Sequence, residues 1–266
     1  MKNKISVLMT VYNAEKFLKE SINSIKNQTY KNWELIIIDD FSSDKSLSKI
    51  KELKNKKIKL YSLKKHIGRT SALNYGLKKV SGDFIAIHDA DDIAHKERLK
   101  IEIEFLKKNK KVYLVGSWYR VINSEGKFIE YVKTNTEEKK IYENMVVNNV
   151  FCHTSVMFKS EILKKIGKYP ENLVYSQDYG FILKTMRVRI PRIIPKYLTT
   201  SRRHRKSMTY NPVLKKFIIK DKIKILLYSS KNFNFTFKSR FFWFLRFSKA
   251  FFDLTLTNIL FLNKNK

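Results

Sequence analysis

The chain has 266 residues, 43% of them hydrophobic, and a formal net charge of +31. That is enough apolar material for one large domain with a core plus an appendage. The single cysteine, Cys152, excludes an intramolecular disulfide framework and fits a reducing compartment. The positive excess points to an anionic partner: nucleic acid, anionic lipid or a phosphorylated substrate. Its lysines are spread along the whole chain, so charge alone selects none of these.

The opening apolar run, Ile5-Ser6-Val7-Leu8-Met9, is too short for a signal peptide and has no small-residue cleavage site, so it reads as a first strand. That strand covers residues 5–12. Asn13 is expected to cap a helix over 14–27 with Phe17, Leu18, Ile22 and Ile25 on one face. Residues 33–38 form a second strand ending at Asp39-Asp40. Ser42 or Ser43 caps a helix to about Lys54 carrying Leu47, Ile50 and Leu53. A third strand over 58–62, a helix over 70–80 and a fourth strand over 84–88 follow. Continuous apolar strands alternating with helices predict an α/β fold with a mostly parallel sheet covered on both faces. Ligands of such sheets bind beyond the carboxyl ends of the strands. Tyr12-Asn13, Asp39-Asp40 and the acids after the fourth strand all fall there.

The fourth strand reads Asp83-Phe84-Ile85-Ala86-Ile87-His88-Asp89-Ala90-Asp91-Asp92. A buried run that delivers Asp-X-Asp to a strand end suits a hard divalent cation, Mg²⁺ or Mn²⁺, completed by substrate phosphates. The other reading is an acidic turn that caps the next helix. Convergence of the acids of strands two and four on one crevice favours the site. Neither G-x-G-x-x-G nor G-x-x-x-x-G-K-[ST] occurs, which argues against a dinucleotide enzyme or a P-loop NTPase. Phosphate binding then falls to a metal and basic side chains.

The second half gives a strand over 110–120, a hairpin turn at Ser124-Glu125-Gly126-Lys127, and a strand over 128–132. A short helix over 136–144 and a strand over 156–159 come next. Ser160 caps a helix over 161–166 that Gly167 ends. Tyr175-Ser176-Gln177-Asp178-Tyr179 opens a helix to about Arg189. The tail has a helical pattern over 212–229, then a Phe- and Leu-rich stretch over 240–262 with Arg246, Lys249, Asp253 and Thr257 in one stripe. Three charges at mid-stretch cost about 2.5–3.5 kcal/mol each near a bilayer centre, which argues against a span. The alternatives are an in-plane interfacial helix aided by lysines, or packing on the catalytic domain or a dimer partner.

Several ordered motifs resemble the family 2 glycosyltransferases. They are Ser6-Val7-Leu8-Met9-Thr10-Val11-Tyr12-Asn13, Ser24–Tyr30, Glu34–Asp44, Leu73-Asn74-Tyr75-Gly76, Asp89-Ala90-Asp91-Asp92, Val115-Gly116-Ser117-Trp118, His153–Phe158 and Gln177-Asp178-Tyr179. The likeness covers roughly residues 4–210. It implies a GT-A fold and inverting transfer of a sugar from a nucleotide-diphosphate donor, most often a uridine one, with Mn²⁺ or Mg²⁺ as cofactor. It implies that Asp40, with Asp39 beside it, contacts the nucleobase, and that Thr10, Tyr12 and Asn13 line the base and ribose pocket. Asp89 is placed near the ribose and Asp91 on the metal. Asp92 is read as a helix-entry residue. Asp178 matches the acid of the family's Glu-Asp motif, its usual catalytic base, with Gln177 where Glu is usual. Ser201-Arg202-Arg203-His204 resembles the family's Tyr-Arg-x-His ending, and His204 is read as a metal or diphosphate ligand or as a structural histidine. His153 sits in a family-like run and is read as an interior residue. Arg69 is a diphosphate or base contact, or a solvated loop charge.

The expected organisation is a catalytic domain over 1–210, with a nucleotide-sugar half over 1–95 and an acceptor half over 96–210, followed by a basic, aromatic-rich helical tail over 211–266. Partners implied are a nucleotide-sugar donor, a glycan or lipid-linked acceptor and an anionic membrane surface, with oligomerisation through the tail as an option. The expected location is the cytoplasm, peripheral on the inner face of the cell membrane, in bacterial surface polysaccharide synthesis. No Gln-x-x-Arg-Trp motif is present, which favours addition of one sugar over polymer synthesis. Two other classes remain as alternatives: a basic nucleic-acid-binding protein, disfavoured by the absence of a basic-aromatic recognition motif, and an inactive membrane-bound scaffold of the same fold.

Overall fold

The computed structural model describes residues 3–53, 55–205 and 214–264, with side chains described as far as Thr255. The first half contains β1 (Ile5–Val11), α1 (Leu18–Lys26), β2 (Trp33–Asp39), α2 (Ser46–Leu53), β3 (Ile58–Ser62), α3 (Arg69–Leu77) and β4 (Phe84–Ile87). The second half contains β5 (Ile93–Ala94), α4 (Arg98–Lys108), β6 (Leu114–Ile122), β7 (Phe128–Val132), α5 (Glu138–Met145), β8 (Met157–Lys159), α6 (Leu163–Ile166), α7 (Gln177–Met186) and β9 (Arg192–Arg202). Two long helices, α8 (Lys215–Asn232) and α9 (Phe237–Lys264), follow.

The strands form one sheet in the order β3-β2-β1-β4-β8-β6-β9-β5, with β7 paired to β6. β1 to β4, β6 and β9 run one way, and β5, β7 and β8 run the other. Side chains alternate across this sheet with period two. Leu8, Ile36, Ile38, Ile85 and Ile87 face a core shared with Phe158, Tyr169, Phe181 and Ile225. Val7, Met9, Leu35, Ile37 and Ala86 face the opposite core with Leu18, Ile22, Ile50, Leu99 and Ile103. Both faces are therefore covered, which is why β1 and β2 are apolar without alternation.

The Leu73-Asn74-Tyr75-Gly76 motif has a packing reason. A Cβ at Gly76 would lie 2.3 Å from Leu8 Cδ1 and 3.1 Å from Ile38 Cγ1, so only glycine lets α3 cross the sheet this closely. Asn74 ties α3 to the approach to α7: its Nδ2 donates to Tyr169 O (3.0 Å) and its Oδ1 accepts from Tyr169 N (2.9 Å).

Several local expectations differ from the structure. Asn13 does not cap α1, which starts later with Phe17 at its cap position. Asn13 instead adopts φ 50°, and its Oδ1 accepts from Ser43 N at 2.8 Å, where it holds the turn after β2. Asp92 does not enter a helix: it leads into β5, and α4 begins only at Arg98. No element was expected for β5, α4 or β9. β9 carries Pro195, which cannot donate to a ladder, and its register to β6 slips there, from Ser117↔Ile194 to Trp118↔Tyr197.

The tail helices dock on the body. Ile225 joins the main core, Asp221 Oδ2 accepts from Tyr175 N (2.7 Å), and Ser229 Oγ donates to Val146 O (2.6 Å). α9 lies on α8 through Trp243, whose Nε1 donates to Leu226 O at 2.8 Å, and through buried Ala250. Its outer face is aromatic: Phe237, Phe241, Phe244, Phe251 and Phe252 are exposed, while Arg246 and Asp253 are only half-exposed. Residues 212–213 of the expected first tail helix and the side chain of Thr257 lie outside the described part. Among the described residues no helix is long and apolar enough to cross a membrane.

Candidate active site

The site is built on the carboxyl end of β4. His88 there is fully buried, with Nε2 3.1 Å from Ser21 Oγ. Burial and the neighbouring Arg98 push it down to about 3, so it stays neutral. Arg98 is buried too; it donates to Ile87 O (2.9 Å) and pairs with buried Glu102 (2.9 Å). The next residue, Asp89, donates its backbone N–H to Thr154 Oγ1 at 3.1 Å, and Ser21 Oγ donates to its carbonyl at 2.9 Å. The turn is thus held from α1, from α4 and from the short 3₁₀ segment His153–Ser155.

This frame presents three carboxylates, Asp89, Asp91 and Asp92, whose oxygens lie within 4.8 Å of one another. They are not equivalent. Asp89 pairs with Arg69 at 2.6 Å; burial alone would raise it, but Arg69 and His153 hold it below the usual carboxylate range. Asp91 is partly open and its Oδ2 lies 2.8 Å from His204 Nε2. Asp92 is buried and accepts from Arg202 N at 2.7 Å. Burial and the charges of Asp91 and Asp89 push its carboxyl well above the usual range. A crowded all-oxygen cluster of this kind suits a hard divalent cation, which relieves the repulsion among the acids. Asp92, expected at a helix entry, is instead tied to the backbone of β9.

Opposite stands Asp178 in the first turn of α7, where its Oδ2 accepts from Asn149 Nδ2 at 2.9 Å. Beside it, Gln177 is buried. With its amide oriented to satisfy both ends, its oxygen accepts from Arg69 Nε (3.1 Å) and its nitrogen donates to Val174 O (3.1 Å). Arg69 is therefore no solvated loop charge. It joins Asp89, Gln177 and, at 3.1 Å, His153 Nδ1, and His153 in turn meets Tyr169 OH at 3.0 Å. Arg69, Asp89, Asp91, His153, Gln177 and Asp178 line one cavity of about 370 Å³.

Thr10, Tyr12, Asn13, Asp39 and Asp40 do not line that cavity. They sit at or just after the carboxyl ends of β1 and β2. Tyr12 is half-exposed and stacks on His66 with centroids 4.1 Å apart. Asp40 is buried, pairs with His66 Nδ1 (2.9 Å), and accepts from Ile67 N (2.8 Å) and Gly68 N (2.9 Å). Asp40 so shapes the loop that delivers Arg69. Asp39 accepts from Ser62 Oγ at 3.2 Å through Oδ2, while its buried Oδ1 meets no donor among the described residues. Sequence reasoning missed Asn149, Thr154, Arg98 and the role of His88. The one local signal was a pair of asparagines, Asn148-Asn149, inside the apolar run from Val146 to Phe151.

The mostly parallel sheet, covered on both faces and with this carboxylate-lined cavity at its strand ends, is a GT-A type fold. A mannosyltransferase of Pyrobaculum calidifontis, PcManGT, solved with GDP-Man and Mn²⁺, superposes with a TM-score of 0.72 over 97% of this chain and 76% of its own, at 15% identity. The model of glycosyl transferase family 2 matches residues 6–167. An uncharacterized glycosyltransferase of Methanocaldococcus jannaschii is 38% identical over 185 residues, 68% of this chain and 63% of the relative. The Escherichia coli UDP-Glc:α-D-GlcNAc-diphosphoundecaprenol β-1,3-glucosyltransferase WfgD is 33% identical over 187 residues, 69% of this chain and 70% of its own. The chain thus spans a little under two thirds of the first of these relatives. It belongs to glycosyl transferase family 2.

Proposed function

We propose that the chain moves one sugar, with inversion, from a nucleotide-diphosphate donor to a hydroxyl of a glycan or lipid-linked acceptor in surface polysaccharide synthesis. The observation that carries this reading is the meeting, in one cavity, of the Asp89–Asp91 carboxylates with Asp178. Asp178, held by Asn149, takes the proton of the acceptor hydroxyl. The hydroxyl oxygen then bonds to the anomeric carbon on the face opposite the donor phosphate. The bond from that carbon to the phosphate oxygen breaks, and the nucleoside diphosphate leaves with the electron pair.

A divalent cation, Mn²⁺ or Mg²⁺, would be held by Asp91 with Asp89 and His204 beside it, and would neutralise charge on the leaving diphosphate as a Lewis acid. Arg69 adds a fixed positive charge on the same side of the cavity, positioned by Asp89 and Gln177. The base end of the donor is received by Thr10, Tyr12, Asn13 and the Asp39-Asp40 pair. A uridine donor is the preferred reading, and the WfgD relative is named for UDP-Glc. Residues 1–210 form the catalytic unit, and α9 lays its aromatic face on an anionic membrane surface at the inner face of the cell membrane.

Two substitutions test the assignment together. Asp91→Ala and Asp178→Asn should each abolish donor-dependent transfer while leaving the melting curve near that of the parent protein. Full activity in both folded variants would overturn it.

A further inference from the structure

We propose that Tyr175 is the residue on which the acceptor sugar stacks, and that the tail helix α8 sets its position through Asp221. This rests on the glycosyl-transfer reading above and deepens it by naming the acceptor side of the same cavity. Tyr175 lines that cavity together with Gln177 and Asp178, just before the first turn of α7. Its side chain is half-buried, so part of the ring stays open to the cavity. The face of an aromatic ring is negative, and the C–H bonds of a pyranose are weakly positive, so the two attract. The phenol hydroxyl adds a polar edge for a sugar hydroxyl. Asp178 takes the acceptor's proton in the proposed reaction, and a ring beside it holds the sugar that carries that hydroxyl.

The segment that carries Tyr175 is pinned from two directions. From the body, Thr70 Oγ1 donates to Leu173 O at 3.0 Å, and the Gln177 amide nitrogen donates to Val174 O at 3.1 Å. Leu173 also lies close on α7, where a Cβ at Gly180 would come within 2.5 Å of Leu173 Cδ1. Tyr175 itself is held from the tail. Its N–H donates to Asp221 Oδ2 at 2.7 Å, and its ring meets Phe217 with centroids 6.0 Å apart. Lys224 Nζ donates to Asn172 O at 2.9 Å. Phe217, Asp221 and Lys224 recur at helical spacing on one face of α8, the face that also brings Ile225 into the main core.

Asp221 is 3% exposed, and a carboxylate buried that far needs strong partners. It has the Tyr175 N–H on Oδ2 and Lys224 Nζ at 3.8 Å from Oδ1. A bond from a backbone N–H to an ionised acid is charge-assisted and short, so it fixes where the Tyr175 side chain leaves the main chain. Without it, Leu173 and Val174 keep their own anchors and Tyr175 does not. The lining residues of the cavity run from Arg69 to Arg203, so Asp221 acts on the site from outside it. It is a positioning residue, and Tyr175 is the contact. The first tail helix therefore completes the acceptor wall as well as joining α9 to the body.

Contact and positioning are tested separately on the full chain. Hydrogen exchange reads the positioning: in Asp221→Ala the amides of residues 172–176 should exchange at least about tenfold faster, while those of β1 and β2 keep the protection of the parent. Asp221→Asn keeps an acceptor oxygen for the Tyr175 N–H and should restore most of the protection. Unchanged exchange at 172–176 in Asp221→Ala would overturn the role of α8. For the contact, octyl glycosides of glucose, galactose, mannose and N-acetylglucosamine are titrated with UDP and Mn²⁺ present, and binding is read by saturation-transfer NMR. Tyr175→Ala should weaken the glycoside that binds the parent by at least about tenfold, and Tyr175→Phe, which keeps the ring, should stay within about threefold. Binding of no glycoside by the parent, equal binding by the Ala variant, or a loss in the Phe variant as large as in the Ala variant would overturn the stacking. Neither readout needs turnover, so failure of the transfer reading is seen separately in the Asp91 and Asp178 variants. Where transfer is measured, Tyr175→Ala and Asp221→Ala should each raise the acceptor KM at least about tenfold and keep the donor KM within about threefold.

Discussion

Asn149 donates from Nδ2 to Asp178 Oδ2 at 2.9 Å, although neither residue belongs to the stretch of carboxylates around which the site is built. The bond fixes one oxygen of a carboxylate that lines the cavity. In the proposed mechanism Asn149 is thus a positioning residue for the base. Asn149→Ala should lower kcat by about tenfold to a hundredfold, the scale expected when a reacting group loses its orientation. Donor KM should change little. Steady-state kinetics with donor and acceptor varied separately would check the split, and an equal rise in donor KM would point to general damage instead.

The Arg69 guanidinium is shared between Asp89 and Gln177. Gln177→Leu removes a hydrogen bond to a charged group and should cut kcat/KM for the donor by about tenfold. Gln177→Glu keeps an acceptor oxygen for Arg69 Nε and should stay within about threefold of the parent, since an ion pair replaces the bond from Arg69 to an uncharged amide. A loss in the Glu variant as large as in the Leu variant would show that the amide, and its bond to Val174 O, matters more.

His204 meets Asp91 at 2.8 Å and packs on Phe17 with centroids 5.0 Å apart. Chelation should abolish transfer and added Mn²⁺ should restore it. In His204→Ala the half-saturating Mn²⁺ concentration should rise about tenfold to a hundredfold, as is usual for groups that orient a metal's ligands. Titration of metal into stripped enzyme, read by transfer rate, tests this. An unchanged metal requirement would assign His204 to packing alone.

Far from the site, Glu34 is buried at the opposite end of β2 and bonds Ser6 Oγ at 2.6 Å, with Lys4 and Lys59 each at 2.9 Å. Burial pushes its carboxyl up, but Ser6, Lys59, Lys4 and Ser81 outweigh that and hold it at about 2. The folded value lies below the unfolded one. The stabilisation is therefore fully present above about pH 4.5 and is lost as pH falls toward 2. It amounts to about 3 kcal/mol at neutral pH. Glu34→Gln should remove most of it at pH 7 and flatten the acid limb of a urea-unfolding series. An unchanged limb would place the acid sensitivity elsewhere.

The aromatic face of α9 is exposed, so replacing it costs the fold little. Phe241→Asp/Phe244→Asp should leave the melting temperature within a few degrees. It should also weaken sedimentation with anionic vesicles by about tenfold or more, given roughly 1.5–3 kcal/mol for each buried Phe. Transfer to a water-soluble acceptor should be unaffected. Equal vesicle binding by parent and variant would remove α9 as the contact.

The first strands were legible because burial on both faces writes itself as unbroken apolar runs, seen in Ile5–Val11 and Trp33–Asp39. The acids after β4 were legible because such a run ends in them abruptly. β9 was not, since Pro195 disguises a strand whose partner, β6, lies some 80 residues away; Arg120, for example, pairs with Thr200. The N-cap expected at Asn13 failed because its side chain is claimed by Ser43, from the next crossover.

What the sequence by itself determined is the set of groups: carboxylates at the ends of β2 and β4, an acid opening α7, and a basic, aromatic tail. Residue type and short-range period are enough for that. Only the tertiary structure decided how the groups divide their work. Asp92 is given to Arg202 N at a separation of 110 residues, Asp40 is given to the loop before Arg69, and Arg69 is given to Asp89. It also turned the Phe residues of α9 outward and half-buried Arg246 beside Asn148. The physical reason is that a carboxylate's role depends on which donors and charges surround it, and those arrive from distant parts of the chain.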